Sequence, residues 1–435
     1  MHYVIIGNSA AAIGAIKAIR NRDKTGSVTV ISDEPYSIYS RPLISYLLAG
    51  KVDENMMFYG KKNFYEENSV GTKLSQAAVE LDMDKRIVEL ENKELVSYDK
   101  LLIATGGTPI IPQVEGKGLK GVFVFTKWDD TKNIKDFIEK NSVKKAIVIG
   151  GGLIGLKATE ALIELGLKVT VVELADRILS ATFDKRASQM VEDNLRERGI
   201  EIIFNNTVVQ IEAEGSLNKG SWEKKRRVSG VVLRDKRKLA SDLVIFAIGV
   251  KPNVSLVKDT PVKVNRGILV NQYMQTCVGN VYAAGDVAEA FDLVMGVTRP
   301  IPIWPNAYRQ GSVAGCNMAG GLKEYQGGLA MNSIEICGIS TISVGQTDPD
   351  EENYQVLQEY NRERREYKKI VLKDDFIVGA IFIGSIERAG IITAFIKERT
   401  NVRNFKDYLM REDFGLIYLP SDYRKHMVSG MGIEV

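Results

Sequence analysis
The chain has 435 residues, too many for one hydrophobic core, so two or three domains are expected. It is 45% hydrophobic and 26% charged, an ordinary globular mixture without an apolar run long enough for a membrane helix, so neither long disorder nor a transmembrane helix is expected. Lys plus Arg number 58 and Asp plus Glu 55, and this net charge of +3 is too slight to point to nucleic acid.

The N-terminus enters a strand at once (His2-Tyr3-Val4-Ile5-Ile6), with no charged-then-apolar leader, so a cytoplasmic protein is expected. Gly7-Asn8-Ser9-Ala10-Ala11-Ala12 follows, a G-x-S-x-x-A variant of the phosphate-binding G-x-G-x-x-G. Gly7 suits the tight turn, and Ser9 and Ala12 are the smallest replacements for the other two glycines. A helix beginning near Ser9 would turn the N–H groups of Ala10 and its neighbours toward a pyrophosphate. Asp33 and Glu34 follow the second strand, where a carboxylate accepts ribose hydroxyls.

Residues 87–97 alternate around Asn92-Lys93 and read as a hairpin. Leu101-Leu102-Ile103-Ala104 then runs into Thr105-Gly106-Gly107 and Pro109, a strand ending in a turn. About 143 residues after the first loop the layout repeats: an apolar strand, then Gly150-Gly151-Gly152-Leu153-Ile154-Gly155, a helix to about Leu165, a strand, and Glu173. Here the glycine pattern is complete and its strand–helix context is present, so a dinucleotide is expected. Glu173 repels a 2′-phosphate, which favours NAD(H), while Arg177 leaves NADP(H) as the lesser option. A second strand–glycine–proline pattern, 243–248 then Gly249 and Pro252-Asn253, echoes the one at 101–109. Continuous apolar strands alternating with helices predict parallel sheets covered on both faces.

The composition changes after Gln326-Gly327-Gly328: short strands over 332–383, then helical segments over 385–411, with a charged-turn hairpin at 367–380. Lys224-Lys225-Arg226-Arg227 reads as a solvated hairpin loop. Cys277, Cys316 and Cys337 are scattered and never spaced C-x-x-C, so neither a metal site nor a disulfide framework is expected. His2 and His426 lie near the two ends, which argues against a buried histidine acid–base.

Together these residues resemble the FAD- and NAD(P)-dependent pyridine-nucleotide oxidoreductases of the glutathione-reductase fold, above all rubredoxin and ferredoxin reductases and the flavin part of NADH-dependent nitrite reductases. Ala104-Thr105-Gly106 and Ile248-Gly249-Val250-Lys251-Pro252-Asn253 resemble the family's two crossovers. Residues 276–286, ending Tyr282-Ala283-Ala284-Gly285-Asp286, resemble its FAD signature T-x-x-x-x-[VI]-[YF]-A-x-G-D. The resemblance implies that Asp286 holds the ribityl chain, that Gln310-Gly311 starts a helix aimed at the flavin, and that Arg41 contacts the FAD pyrophosphate from Tyr39-Ser40-Arg41-Pro42-Leu43. Trp304 and Tyr308, just ahead of Gln310, either flank the flavin or belong to the core.

The implied architecture is α/β, with two nested Rossmann-like dinucleotide-binding domains and a C-terminal α+β interface domain. FAD is assigned to 1–112 and 252–327, NAD(H) to 113–251, and subunit pairing, as a homodimer or in a heteromeric complex, to 328–435. Two features depart from the family. No cysteine pair follows the first loop, and residues 37–50 hold no cysteine, so disulfide and thiol–peroxide chemistry are not expected. The family's Lys and Glu beside the flavin are replaced by Tyr46 and Lys157, which suggests that the cation now comes from the other side.

The expected reaction is hydride transfer between nicotinamide and flavin, with electrons exchanged with a ferredoxin- or rubredoxin-like iron–sulfur protein or subunit. Direct oxidation by oxygen and a role as an electron-transfer subunit of a larger complex are the alternatives. Basic residues at Lys397, Arg399, Arg403, Lys406, Arg411 and Arg424-Lys425 would suit an acidic partner, or simply form a solvated face.

Overall fold
The computed structural model describes residues 1–60, 63–214, 226–350 and 352–421. The basic pairs Lys224-Lys225 and Arg424-Lys425, and His426, lie outside the described residues. The chain divides into two compact units. The first comprises Met1–Asp176, Gly199–Asp292 and Gly296–Gly328; the second comprises Arg177–Arg198, Leu293–Met295 and Leu329–Val435.

The first unit contains two five-stranded parallel sheets of the same design. In one the order is 281–283, 100–103, 2–6, 27–31, 70–73. In the other it is 122–124, 243–246, 145–149, 168–172, 201–203. Each central strand leads into a glycine loop and is flanked by the strand that follows its helix and by the one that leads into a crossover. Val4, Ile5, Val30, Leu102, Val148, Val171 and Ile245 are buried, as strands covered on both faces require. Each such side chain contributes about 1.5–3 kcal/mol by leaving water.

The duplication extends further than the loops. Each half carries a three-stranded antiparallel sheet, formed by 78–82, 87–90 and 95–97 in one and by 208–213, 228–233 and 238–240 in the other. The predicted hairpin at 87–97 is present, with Ala78–Asp82 as a third strand that the alternation did not reveal.

The helix Ala10–Arg22 packs on Trp304–Met318 along a seam of small residues. A Cβ on Gly311 would fall 1.9 Å from the Ala11 carbonyl oxygen, and one on Gly14 would fall 2.1 Å from that of Tyr308. The two backbones therefore approach as closely as hydrogen-only side chains allow.

The second unit is built on a five-stranded antiparallel sheet in the order 331–336, 339–345, 376–383, 366–373, 355–361. The predicted charged turn joins two of these strands, with Asp374 and Asp375 at φ +53° and +61°, the left-handed pair of a type I′ hairpin. The helix Ala389–Glu398 packs on the sheet through Ile392, Phe395 and Ile396, against Ile370 and Phe382. The helix Lys185–Glu197 also belongs to this unit, although in sequence it falls inside the second nucleotide fold. Its N-cap, Asp184, accepts hydrogen bonds from Tyr367 at 2.6 Å and is paired with Lys369 at 2.9 Å. Among the described residues no helix is long and apolar enough to cross a membrane.

Candidate functional site
The two glycine loops are built alike. Gly7 ends its strand at φ +116°, where a Cβ would lie 2.0 Å from the Ala104 carbonyl oxygen. Gly150 ends its strand at φ +111°, where a Cβ would lie 2.4 Å from the Ala247 carbonyl oxygen. Glycine alone permits both the left-handed turn and the close approach. Helices follow at Ala10 and Leu153, and neither N-cap residue, Ser9 or Gly152, caps with its side chain. The first-turn N–H groups of Ala10 to Ala12, and of Leu153, Ile154 and Gly155, are thus left for an anion. A Cβ on Gly152 would meet nothing within 4 Å, so its loop opens on free space.

The acids at the ends of the second strands are in place but engaged. Glu34 is buried and accepts from the Tyr39 hydroxyl at 2.6 Å and the Arg41 guanidinium at 2.5 Å. Asp33 is exposed and pairs with Lys127 at 2.7 Å. Glu173 folds over its own loop and accepts from the N–H groups of Gly151 at 2.5 Å and Ala175 at 2.7 Å. Arg177 is paired with Asp348 at 3.3 Å.

The crossovers meet. Residues 107–109 and 250–252 form an antiparallel ribbon, and Gly249 enters it at φ +110°. The Thr105 hydroxyl donates to the Asn253 carbonyl at 2.7 Å, and the Asn253 N–H donates to that of Gly106 at 2.8 Å. The ribbon ties the two halves of the first unit together at the ends of the strands leading out of Ala104 and Ala247. Its pairing is long-range and was not foreseen from the two separate motifs.

Asp286 stands one residue beyond Gly285, and its carboxylate has no hydrogen-bond partner among the described residues. Burial pushes its pKa up, and only the Arg41 charge pulls it back. An orphaned carboxylate beside a guanidinium fits a ligand that offers hydroxyls and phosphates. Gln310 requires a correction. The helix starts at Trp304, with Pro305 in its first turn, so Gln310-Gly311 lies in the second turn and its main chain is already hydrogen-bonded. The Gln310 side chain instead accepts from the Gly285 N–H at 2.8 Å and so fixes the turn that presents Asp286. The free N–H groups of this helix are those near Trp304, whose ring packs against Tyr59 at 5.9 Å.

The short helix Ile44–Leu48 lies against Leu153–Glu164, with Lys51 and Glu164 paired at 3.0 Å. This brings the Lys157 ammonium 4.8 Å from the centre of the Tyr46 ring. Lys157 is also paired with Glu160, three residues on, and both side chains are largely buried. The structure therefore joins the two substituted positions and adds a carboxylate. Trp128 is a further residue that sequence reasoning passed over. It is buried, its ring stacks on Tyr36 at 4.4 Å, and its main-chain N–H donates to the Tyr39 hydroxyl at 3.2 Å, bracing the Glu34–Arg41 pair. The only hint was a lone Trp at the head of an amphipathic segment.

Among the described residues, Cys277, Cys316 and Cys337 form no disulfide. Residues 1–311 match the family model described as pyridine nucleotide-disulphide oxidoreductase, and 331–400 match the rubredoxin NAD+ reductase C-terminal domain. The chain is 32% identical over 402 residues to the NADH-dependent phenylglyoxylate dehydrogenase subunit epsilon of Aromatoleum evansii, covering 92% of each. It is 29% identical over 401 residues to the nitrite reductase [NAD(P)H] of Bacillus subtilis, matching 92% of this chain but spanning about half, 47%, of that protein. Among solved structures, NADH:rubredoxin oxidoreductase from Clostridium acetobutylicum superposes with a TM-score of 0.73 at 28% identity, covering 93% of this chain and 97% of that one. With two matched nucleotide folds and no cysteine pair, the chain belongs to the pyridine nucleotide-disulphide oxidoreductase family, as an FAD- and NAD(H)-dependent oxidoreductase without a redox disulfide.

Proposed function
We propose that the protein passes electrons between NAD(H) and its FAD, and exchanges them with a ferredoxin- or rubredoxin-like iron–sulfur protein or subunit. The observation that carries this is the paired architecture: two parallel sheets of one order, each with an uncapped glycine loop, tied by one ribbon. In this reading residues 1–112 and 252–327 hold FAD, 113–251 hold NAD(H), and 328–435 pair subunits or dock partners. Gly7, Ser9, Ala10 and Ala12 receive the FAD pyrophosphate, with Glu34 on the ribose, Arg41 on a phosphate and Asp286 on the ribityl chain. Gly150, Gly152, Leu153, Ile154 and Gly155 receive the pyrophosphate of NAD(H), with Glu173 on its ribose. FAD held by these residues would supply the means to accept a hydride from a nicotinamide and to release single electrons, which is what an iron–sulfur centre needs.

The protein's task is then to hold two rings together, keep water out and set the local charge. Lys157, held against Tyr46, supplies the cation at the junction of the two halves. Cysteines that form no disulfide among the described residues favour a cytoplasmic setting. A role as a subunit of a larger complex is a second reading, supported by the end-to-end match with the Aromatoleum evansii subunit. The test is reoxidation. After reduction by NADH without air, the flavin should be reoxidised faster by added rubredoxin or ferredoxin than by oxygen. Faster reoxidation by oxygen would instead make the protein an NADH oxidase.

A further inference from the structure
We propose a second anion site, apart from both glycine loops, that takes a small ligand bearing two or more linked phosphates. A cleft of about 530 Å³ opens between the C-terminal half of Ala10–Arg22 and the helix Trp304–Met318. That is within the range of small-molecule sites, about 300–1,000 Å³. Lys17, Arg22, Lys24 and Lys323 line it, together with the hydroxyl-bearing residues Tyr308 and Ser312.

None of these four cations has an ion-pair or side-chain hydrogen-bond partner among the described residues. Lys17 lies only over the Tyr59 and Tyr308 rings, at 5.7 and 5.9 Å. Other lysines of this unit reach a carboxylate, as in Lys51–Glu164, Lys73–Glu94 and Lys127–Asp33, whereas the four cations at the cleft are exposed and gathered on one concave lining. The wall beneath is rigid and itself positive. Arg20 is 8% exposed and donates to the main-chain carbonyls of Asp23, Gly26, Asn68 and Ser69 at 2.6–3.1 Å. All four acceptors are neutral, so its charge is not cancelled. Glu67 is the sole carboxylate on the lining among the described residues, which leaves an excess of four positive charges.

A helix end explains part of this, because cations suit the carbonyls of a last turn. It explains Arg20 and Arg22. It does not explain Lys17 a turn earlier, or Lys24 and Lys323, which reach the cleft from outside the helix. The cleft is also remote from the first phosphate loop. Lys17 is seven residues past Ala10, about 10 Å along the axis at the usual rise per residue. A concave cationic site with hydroxyl donors inside suits a phosphate chain. An acidic protein face would need a broad patch, about 800 Å² on each side.

The test uses flavin-loaded protein saturated with NAD+, so that both glycine loops are filled. Sodium tripolyphosphate and, separately, ADP are titrated by calorimetry at low and high salt. The inference expects tripolyphosphate to bind, more weakly as salt rises, with affinity reduced about tenfold or more in Lys24→Glu/Lys323→Glu. NADH-driven flavin reduction without the anion should be unchanged in that variant, which also reports that it is folded. Tighter binding of ADP than of tripolyphosphate assigns the ligand to nucleotides, and the reverse order assigns it to inorganic chains. Absence of binding by both, an affinity indifferent to the double substitution, or binding of poly-glutamate in their place would overturn the proposal.

Discussion

The flavin contact proposed for Asp286 would set stability against function. Its carboxylate sits in a confined place without a hydrogen bond, and burial raises its pKa against the opposing pull of Arg41. An acid whose pKa is raised on folding costs stability as pH climbs through the unfolded value toward the folded one. Asp286→Asn should therefore raise the melting temperature of the flavin-free protein at neutral pH while weakening FAD binding about tenfold or more. Thermal melts with and without FAD check both halves, and a lower flavin-free melting temperature would contradict the first. Lys157 makes the second residue-level prediction. In Lys157→Glu the ammonium over Tyr46 becomes a carboxylate facing Glu160, and a negative group disfavours an anionic reduced flavin. The flavin potential should fall and hydride transfer should slow, by potentiometry and rapid mixing, and no change in either would remove Lys157 from the site. The signature that singles out Asp286 is local, within residues 276–286. Gln310's role was not readable in the sequence, because its bond to the Gly285 N–H spans 25 residues and depends on where the helix begins.

At the level of elements, short-range signals carried well and pairings did not. The glycine loops, both crossover strands and the hairpin at 367–380 are visible because turn chemistry and periodicity lie within a few residues of one another. The start of the helix Trp304–Met318 was misplaced although Pro305 marks it, since proline is favoured in a first helical turn and Gln310-Gly311 carries no such signal. The helix Lys185–Glu197 looked like part of the nucleotide fold by position alone. Its partners are the buried Lys369 and Tyr367 on a strand far along the chain. Burial alone would raise the Asp184 pKa, but hydrogen bonds from Tyr367, the Ala187 N–H and Lys369 outweigh it and hold the carboxyl below the usual range. An acid depressed on folding stabilises above its unfolded pKa, near 3.9, and that contribution is lost as pH falls through the folded value. Asp184→Asn should cost about 1–3 kcal/mol at neutral pH, because it removes one partner of buried Lys369, which keeps Asp348 at 3.3 Å, and the deficit should shrink in acid. Denaturant titrations at neutral and acid pH measure both, and a deficit independent of pH would refute the electrostatic account.

At the scale of the whole chain, one fold has been used twice. The second sheet, its loop and its three-stranded appendage repeat the first, and the ribbon of residues 107–109 with 250–252 makes one unit of the two. The repeat was legible from the spacing of Gly7 and Gly150; the ribbon that joins its two halves was not. The described residues hold no cluster suited to a metal, and their three cysteines form no disulfide. The most direct measurement is to purify the chain, count flavin per protein, and add one equivalent of NADH without air. The account predicts a yellow protein with one FAD per chain whose visible band bleaches at once. A protein that stays colourless after reconstitution with FAD, or a flavin left oxidised by excess NADH, would contradict it.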